Sequence, residues 1–422
     1  MNPKTKIALW VGVWALTRIL MIALVGFWHP DGAHYQDVDL YATWSQQMAD
    51  SGEIPNLDLW QYPPGAAYLM LIPRLSPEAF QPTFMSMMLV FDFIGLCLMV
   101  RFAGEEQRDT GVWIWLLLLP LLATAVGQGG MPLLRFDLVP TVAAMAGLLV
   151  IHRRPAMFGA LAGIGASIKV WPILLLFGEW DRKRLLTSAL AALAGIAAIF
   201  AITALVLGDP FGFLDDQGGR GLQWESIGTL PWKLREAITG HAPPLEARFG
   251  SNEIASGLGD ATARVLDVAA LLMLAGAGIL WWLRDRGIRA GRHELEDVAL
   301  SRDFVFTVSL LFVVISRVLS PQYMIWLVGL AAIVLTSRRT RIGRAAWLAV
   351  AAIVLTAGVD PNSGISLVVR NLVLLAAALD AAISLSLVFT STRSAKVPPS
   401  GWASPRDSSF RSGLPSGSSP VP

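Results

Sequence analysis

Apolar residues along this chain do not alternate with polar ones; they run on for the thickness of a bilayer. A spanning helix needs about 20 mostly apolar residues. Segments 7–28, 83–100, 112–128, 136–151, 185–207, 261–283, 345–358 and 365–389 meet or approach that pattern. Two more apolar stretches are interrupted, 156–180 near Lys169 and Pro172, and 304–336 near Arg317, Pro321 and Gln322. Proline breaks a helix and charge is costly in lipid, so each break predicts a short helical hairpin. Segment 65–73 is apolar but too short to cross, and reads as interfacial or re-entrant.

Composition changes the picture from a large apolar core to a lipid solvent. The chain is 54% hydrophobic and 15% charged, where a soluble protein carries roughly 25% charged residues. That excludes a disordered protein, a fibrous repeat and an ordinary soluble enzyme. The single cysteine, Cys97, excludes an intrachain disulfide framework and a multi-thiolate metal site. The first apolar segment has no small-residue cleavage site, so it reads as a retained helix.

Charge placement then orients the chain. Arg153/Arg154, Arg182/Lys183/Arg184, the arginines at 284, 286, 289 and 292, and those at 338, 339, 341 and 344 bracket the two hairpins. Clustered Lys and Arg mark cytoplasmic loops. The expectation is an all-α polytopic membrane protein with about 12 crossings and both termini in the cytoplasm. Residues 1–389 are expected to form one transmembrane domain, with extracytoplasmic loops at 29–64 and 208–260. The tail 390–422, rich in Ser, Pro and Gly, reads as disordered.

The unusual polar residues collect on the extracytoplasmic side of this scheme. The first loop carries Asp31, His34, Asp37, Asp39, Tyr41 and Asp58, then Tyr62-Pro63-Pro64-Gly65. Asp37 and Tyr41 share a face if the segment is helical; ordinary solvated acids are the bland alternative. Arg135-Phe136-Asp137 reads equally as a helix cap with a snorkelling arginine or as part of a site. Lys169, inside an apolar run, lines a polar cavity or snorkels to the interface. Arg220, Gln223 and Glu225 lie in a glycine-containing stretch, and Arg317, Gln322 and Tyr323 sit at the second hairpin turn. Flexible or structural polar turns are the plain alternatives there. Arg18, Asp92, Asp267 and Asp380 lie in apolar segments, as interhelical pairs or as the polar path of a transporter or lipid-sugar flippase. No Walker loop, dinucleotide fingerprint or His-Glu-x-x-His motif is present. No nucleic-acid partner or cofactor is expected.

An enzyme outside the membrane has no dissolved nucleotide supply, so its activated group comes from a lipid carrier or a preformed polymer. One carboxylate, Asp37, would take the proton of an acceptor hydroxyl. Lys169, Arg220 and Arg317 would neutralise charge on a departing phosphate. A single displacement would invert the anomeric carbon.

At these residues the sequence resembles GT-C glycosyltransferases, most closely glycosyltransferase family 87, over about residues 1–389. The motifs are Asp37-Val38-Asp39-Leu40-Tyr41, Tyr62-Pro63-Pro64, Arg135-Phe136-Asp137, Ser167-Ile168-Lys169-Val170-Trp171-Pro172, Arg220 to Ser226, and Ser320-Pro321-Gln322-Tyr323-Met324-Ile325-Trp326. The resemblance implies a GT-C-like bundle, a first-loop aspartate as base, carried onto Asp37, and substrate contacts from the other motif residues. It also implies a polyprenyl-phosphate sugar donor, a lipid or cell-envelope glycan acceptor and metal-independent inversion, with mannose favoured. Gln61 departs from the pattern, which expects an acid before Tyr-Pro-Pro.

Overall fold

The computed structural model describes residues 2–28, 36–55, 60–101, 107–124, 130–291, 293–358 and 364–390. Asp31, His34, Asp58, Arg292 and the tail beyond Thr390 lie outside them. The described chain is helical almost throughout. The first helices are α1 (Pro3–Trp28), α2 (Gln36–Ser51), α3 (Gly65–Leu71), α4 (Phe80–Arg101) and α5 (Arg108–Ala123). Next come α6 (Met131–Leu134), α7 (Leu138–Val150), α8 (Pro155–Ile168), α9 (Arg182–Val206), α10 (Phe213–Gly219) and α11 (Leu230–Thr239). The last are α12 (Gly257–Arg289), α13 (Val298–Ile315), α14 (Tyr323–Val334), α15 (Gly343–Gly358) and α16 (Gly364–Thr390). Among the described residues, six helices are long and apolar enough to cross a membrane: α1, α4, α9, α12, α13 and α16. Shorter apolar helices, α7, α8, α14 and α15 among them, complete the polytopic bundle.

Burial divides these helices by their solvent. Every residue of α14 from Met324 to Val334 is buried, as expected of a helix apolar on all sides. It is the centre of the bundle, packed by α5, α7, α13 and α15. On α9 and α12, by contrast, Leu186, Leu193, Leu205, Val265, Leu271 and Leu272 are exposed. A face of that kind is stable against acyl chains, not water.

Both interrupted stretches break where the sequence puts charge and proline. In the first, α8 ends at Ile168, Lys169 is extended, and a 3-10 helix, Trp171–Gly178, returns. The two limbs are only about 21 and 16 Å long. The second hairpin has α13 and α14 as its limbs, with residues 316–322 as the turn. α3, at about 10 Å, cannot cross a bilayer.

Glycines set the tightest helix contact. Gly159 and Gly163, four residues apart on α8, face α9, where an added Cβ would lie 1.9 Å from Ser188 O and 2.3 Å from Ala192 O. Small residues at this spacing let two backbones touch, which substitutes for the hydrophobic effect inside lipid. Gly159→Leu is expected to force α9 away and cost about 1–3 kcal/mol, read as a lower tryptophan-fluorescence melting temperature in detergent. An unchanged melting temperature would show that the contact is slack.

One element departs from an all-helical expectation. Leu245–Arg248 and Ser251–Ile254 pair antiparallel as a hairpin, β1 and β2. Phe249 and Gly250 at its turn have φ of +50° and +70°, the left-handed pair that matches strand twist. Glu, Ala and Arg in β1 gave no strand signal.

The polar residues of the apolar segments form separate pairs, not one path. Arg18 of α1 binds Asp92 of α4, Nε to Oδ2 at 2.6 Å, and donates to Leu116 O. Asp267 of α12 meets Arg317 at 3.1 Å, and Asp380 of α16 meets Arg344.

Candidate active site

α7, α8, α13 and α14 each run from one polar end of the bundle to the other. One end gathers Asp137, Lys169, Arg317 and Gln322. The other holds His152 against Glu179 at 3.0 Å and Ser301 at 2.9 Å, Arg182 and Arg289 on Asp285, Arg184 on Glu296 and Arg341 on Asp297. The basic clusters of the sequence therefore sit opposite the motif residues.

At the motif end, helix α2 opens with Asp37 in its first turn, where a carboxylate suits the helix dipole. Its Oδ2 lies 2.5 Å from Arg135 Nε. Arg135 Nη1 also donates to Gln322 Oε1, and lies 3.4 Å from Ser320 Oγ, at the second hairpin turn. One turn after Asp37, Tyr41 is buried against Phe84 and Phe136, with ring centroids 5.5 and 5.4 Å away. Tyr62 packs edge-on to Phe136 at 4.9 Å. Burial foremost, with the nearby charge of Asp37, raises the phenol pKa of both Tyr41 and Tyr62. Both hydroxyls therefore stay protonated as hydrogen-bond donors. Burial opposes the charge of Arg135, but Asp37, Tyr41, Tyr62 and Asp137 together outweigh it, and the guanidinium is held above its ordinary value.

A second ion pair lies deeper. Lys169 Nζ donates to Asp137 Oδ1 at 2.9 Å, and Trp326 Nε1 donates to the same oxygen at 2.7 Å. The ammonium sits 5.1–6.0 Å from the ring centroids of Tyr62, Phe136, Tyr323 and Trp326. Their π faces help to hold a cation with little water. Tyr323 stacks on Trp326 at 4.0 Å. The Tyr-Pro-Pro-Gly motif reaches this pair through Gly65, whose added Cβ would lie 2.5 Å from Ser167 O. Only glycine lets that loop close on the end of α8.

Gln61 links this nest to the large loop. Its Oε1 accepts from Arg220 Nη1 at 2.5 Å, and Arg220 Nη2 reaches Ser251 Oγ at 3.0 Å. Glu253, 3.8 Å from Arg220 Nε, accepts from Gly221 N. An amide at position 61, not a carboxylate, leaves the charge of Arg220 less compensated than an acid would. Arg317 donates to Gln217 O at 2.5 Å and meets Asp267. Gln223 donates to Glu225 Oε2 at 2.6 Å, and its backbone N–H bonds Arg317 O. The structure thus joins Asp37, Tyr41, Tyr62, Asp137, Lys169, Gln322 and Tyr323 in one nest, with Arg220, Gln223, Glu225 and Arg317 adjoining. Asp39 is apart: it is exposed and accepts from Gln81 at 2.5 Å. Among the described residues, no three His, Cys, Asp or Glu side chains converge.

Sequence reasoning missed Glu253 and Gln217, which carry no local signal. It noted Arg135 without seeing that the residue binds Asp37. The signal available was its position two residues before Asp137.

Behind the large loop, Arg370 and Asn371 of α16 donate to the carbonyls of Glu225 and Ser226. Lys233 is buried beneath Trp224, 5.0 Å from the ring centroid. Burial, with Arg370, pushes its ammonium down to about 7, against the opposing carboxylates of Glu225 and Glu236. A lowered lysine pKa is a cost of charge burial, complete below pH about 7 and relieved as pH rises towards 10.5. Melting temperature is expected to climb between pH 7 and 9, through a gain of about 2 kcal/mol, and Lys233→Met to flatten the climb. A wild-type profile as flat as that of the variant would contradict this assignment.

Fold and site together define a polytopic helical membrane protein with paired carboxylates and cations gathered at one end. The glycosyltransferase family 87 model matches residues 60–299. The chain belongs to that family and is a membrane glycosyltransferase. No curated protein and no solved structure matches it. The matched region holds Tyr62, Asp137, Lys169 and Arg220; Asp37 and the 317–323 turn lie outside it and join through contacts.

Proposed function

We propose that the chain transfers a sugar, mannose in the favoured case, from a polyprenyl-phosphate donor to a lipid or cell-envelope glycan acceptor. The reaction takes place at the extracytoplasmic face of the plasma membrane. The observation that carries this reading is the carboxylate–cation nest at the end of the bundle opposite the basic clusters. Basic clusters favour the cytoplasm, and the far side has no nucleotide sugar.

In the reaction, the acceptor oxygen attacks the anomeric carbon and its proton passes to Asp37. The bond from that carbon to the phosphate oxygen breaks, and polyprenyl phosphate leaves. One displacement inverts the anomeric centre. The leaving phosphate needs charge neutralisation more than protonation, and Arg220, Arg317 and Lys169 are the cations available for it. Tyr41, Tyr62, Gln223, Glu225, Gln322 and Tyr323 offer donors and acceptors to sugar hydroxyls.

The test is incubation of the purified protein with radiolabelled polyprenyl-phosphate mannose and a lipid extract of a deletion strain. A labelled glycolipid is expected with that donor, and none with a labelled nucleotide sugar. Transfer from the nucleotide sugar alone would refute the reading.

A further inference from the structure

The two ion pairs of the site differ in how they meet a ligand. The Asp137 and Lys169 side chains are 1% and 9% exposed, whereas Asp37 and Arg135 are 37% and 20% exposed. The deep pair is closed by four rings, Trp326 among them. The outer pair lies where a ligand can arrive.

The outer pair also poses a chemical conflict. A hydroxyl that gives its proton to Asp37 Oδ2 needs that oxygen open, and a guanidinium at 2.5 Å covers it. While that contact lasts, Oδ2 is closed to an acceptor hydroxyl. Whatever removes Arg135 from Asp37 opens that oxygen to the acceptor.

We propose that Arg135 exchanges partners: it holds Asp37 in the resting protein and passes to the phosphate of the incoming lipid donor, which releases Asp37 as base. This rests on the donor reading above. A guanidinium presents a planar fork that matches phosphate oxygens and carboxylate oxygens equally well. Its Nη1 is anchored by the neutral acceptors Gln322 and Ser320, which do not compete as anions. Those contacts can persist while the Nε side changes partner.

The backbone does not need to move. Arg135 is extended, with φ of −137° and ψ of 144°, between Leu134 and Phe136, both buried. Phe136 is wedged against Tyr41 and Tyr62. Rotation of the arginine side chain alone transfers it. The exchange makes the base available only when donor is bound, so a site without donor does not deprotonate an acceptor.

The test uses the full-length protein in detergent and a water-soluble short-chain isoprenyl phosphate as probe, titrated calorimetrically into four proteins. Asp37→Asn removes the competing charge and is expected to bind about tenfold tighter than wild type. Arg135→Gln is expected to bind at least about tenfold more weakly. In the Asp37→Asn/Arg135→Gln double variant the gain from Asn is expected to vanish, because the competition needs both partners. Should Arg135→Gln fail to fold, Arg135→Lys replaces it and is expected to bind more weakly, for want of the planar fork. Equal binding by wild type, Asp37→Asn and the Arg135 variants would overturn the exchange while leaving a lipid-phosphate donor in place. No binding by wild type or by Asp37→Asn would remove the donor reading itself, and the exchange with it.

Discussion

Asp37→Asn is expected to abolish sugar transfer in a protein that still inserts and folds. The amide matches the carboxylate in shape but cannot take a proton. Loss of a positioned general base typically removes 10²–10⁴ of rate, about 3–5 kcal/mol of barrier. Stability should hardly change. The ion pair it breaks is partly exposed, and such pairs contribute about 0–1 kcal/mol. Arg135 also keeps Gln322 and Ser320. Single-turnover transfer in detergent, alongside a tryptophan-fluorescence melt, reads both quantities. Transfer within tenfold of wild type by a well-folded variant would remove Asp37 from the base role.

Asp137→Ala is expected to produce the largest loss of stability among the site residues. It strands the Lys169 ammonium, whose side chain is 9% exposed, and leaves the Trp326 indole N–H without its acceptor. Breaking one side of a buried pair costs about 3–5 kcal/mol. The paired replacement Asp137→Asn with Lys169→Met removes both charges and should recover much of that loss. Melting temperatures of the single and double variants measure the recovery. A double variant no more stable than Asp137→Ala would show that the pair is not what holds this corner. The same double variant, folded but inactive, is expected if the charge of Lys169 acts on the leaving phosphate.

Much of the helical layout was legible from the chain. Long apolar runs have one stable form in lipid, since every backbone group must be satisfied internally. Lys169 with Pro172, and Arg317 with Pro321, marked the two hairpin turns because charge and proline are both costly mid-span. The short α3 was readable from its length. The hairpin β1–β2 was not, since its turn depends on Phe249 in a left-handed conformation that phenylalanine seldom adopts. The grouping of Asp37 with Tyr41 followed from helical spacing, and the separation of Asp39 follows from the same spacing. Contacts across the bundle were not legible. Nothing local tells that Arg135 reaches Asp37, that Gln61 faces Arg220, or that Glu253 supports the Arg220 loop. These are meetings of residues far apart in sequence, fixed only when the helices pack.

Sugar is expected to leave a lipid monophosphate and form a new glycosidic bond at this site. The most direct measurement follows the protein in liposomes with labelled polyprenyl-phosphate mannose and an acceptor lipid, counting glycolipid formed and, by phosphorus NMR, polyprenyl phosphate released. The prediction is one monophosphate for each sugar transferred, with an inverted anomeric centre, and neither product from Asp37→Asn. Movement of intact donor across the bilayer with no new glycosidic bond, or release of a diphosphate, would contradict it.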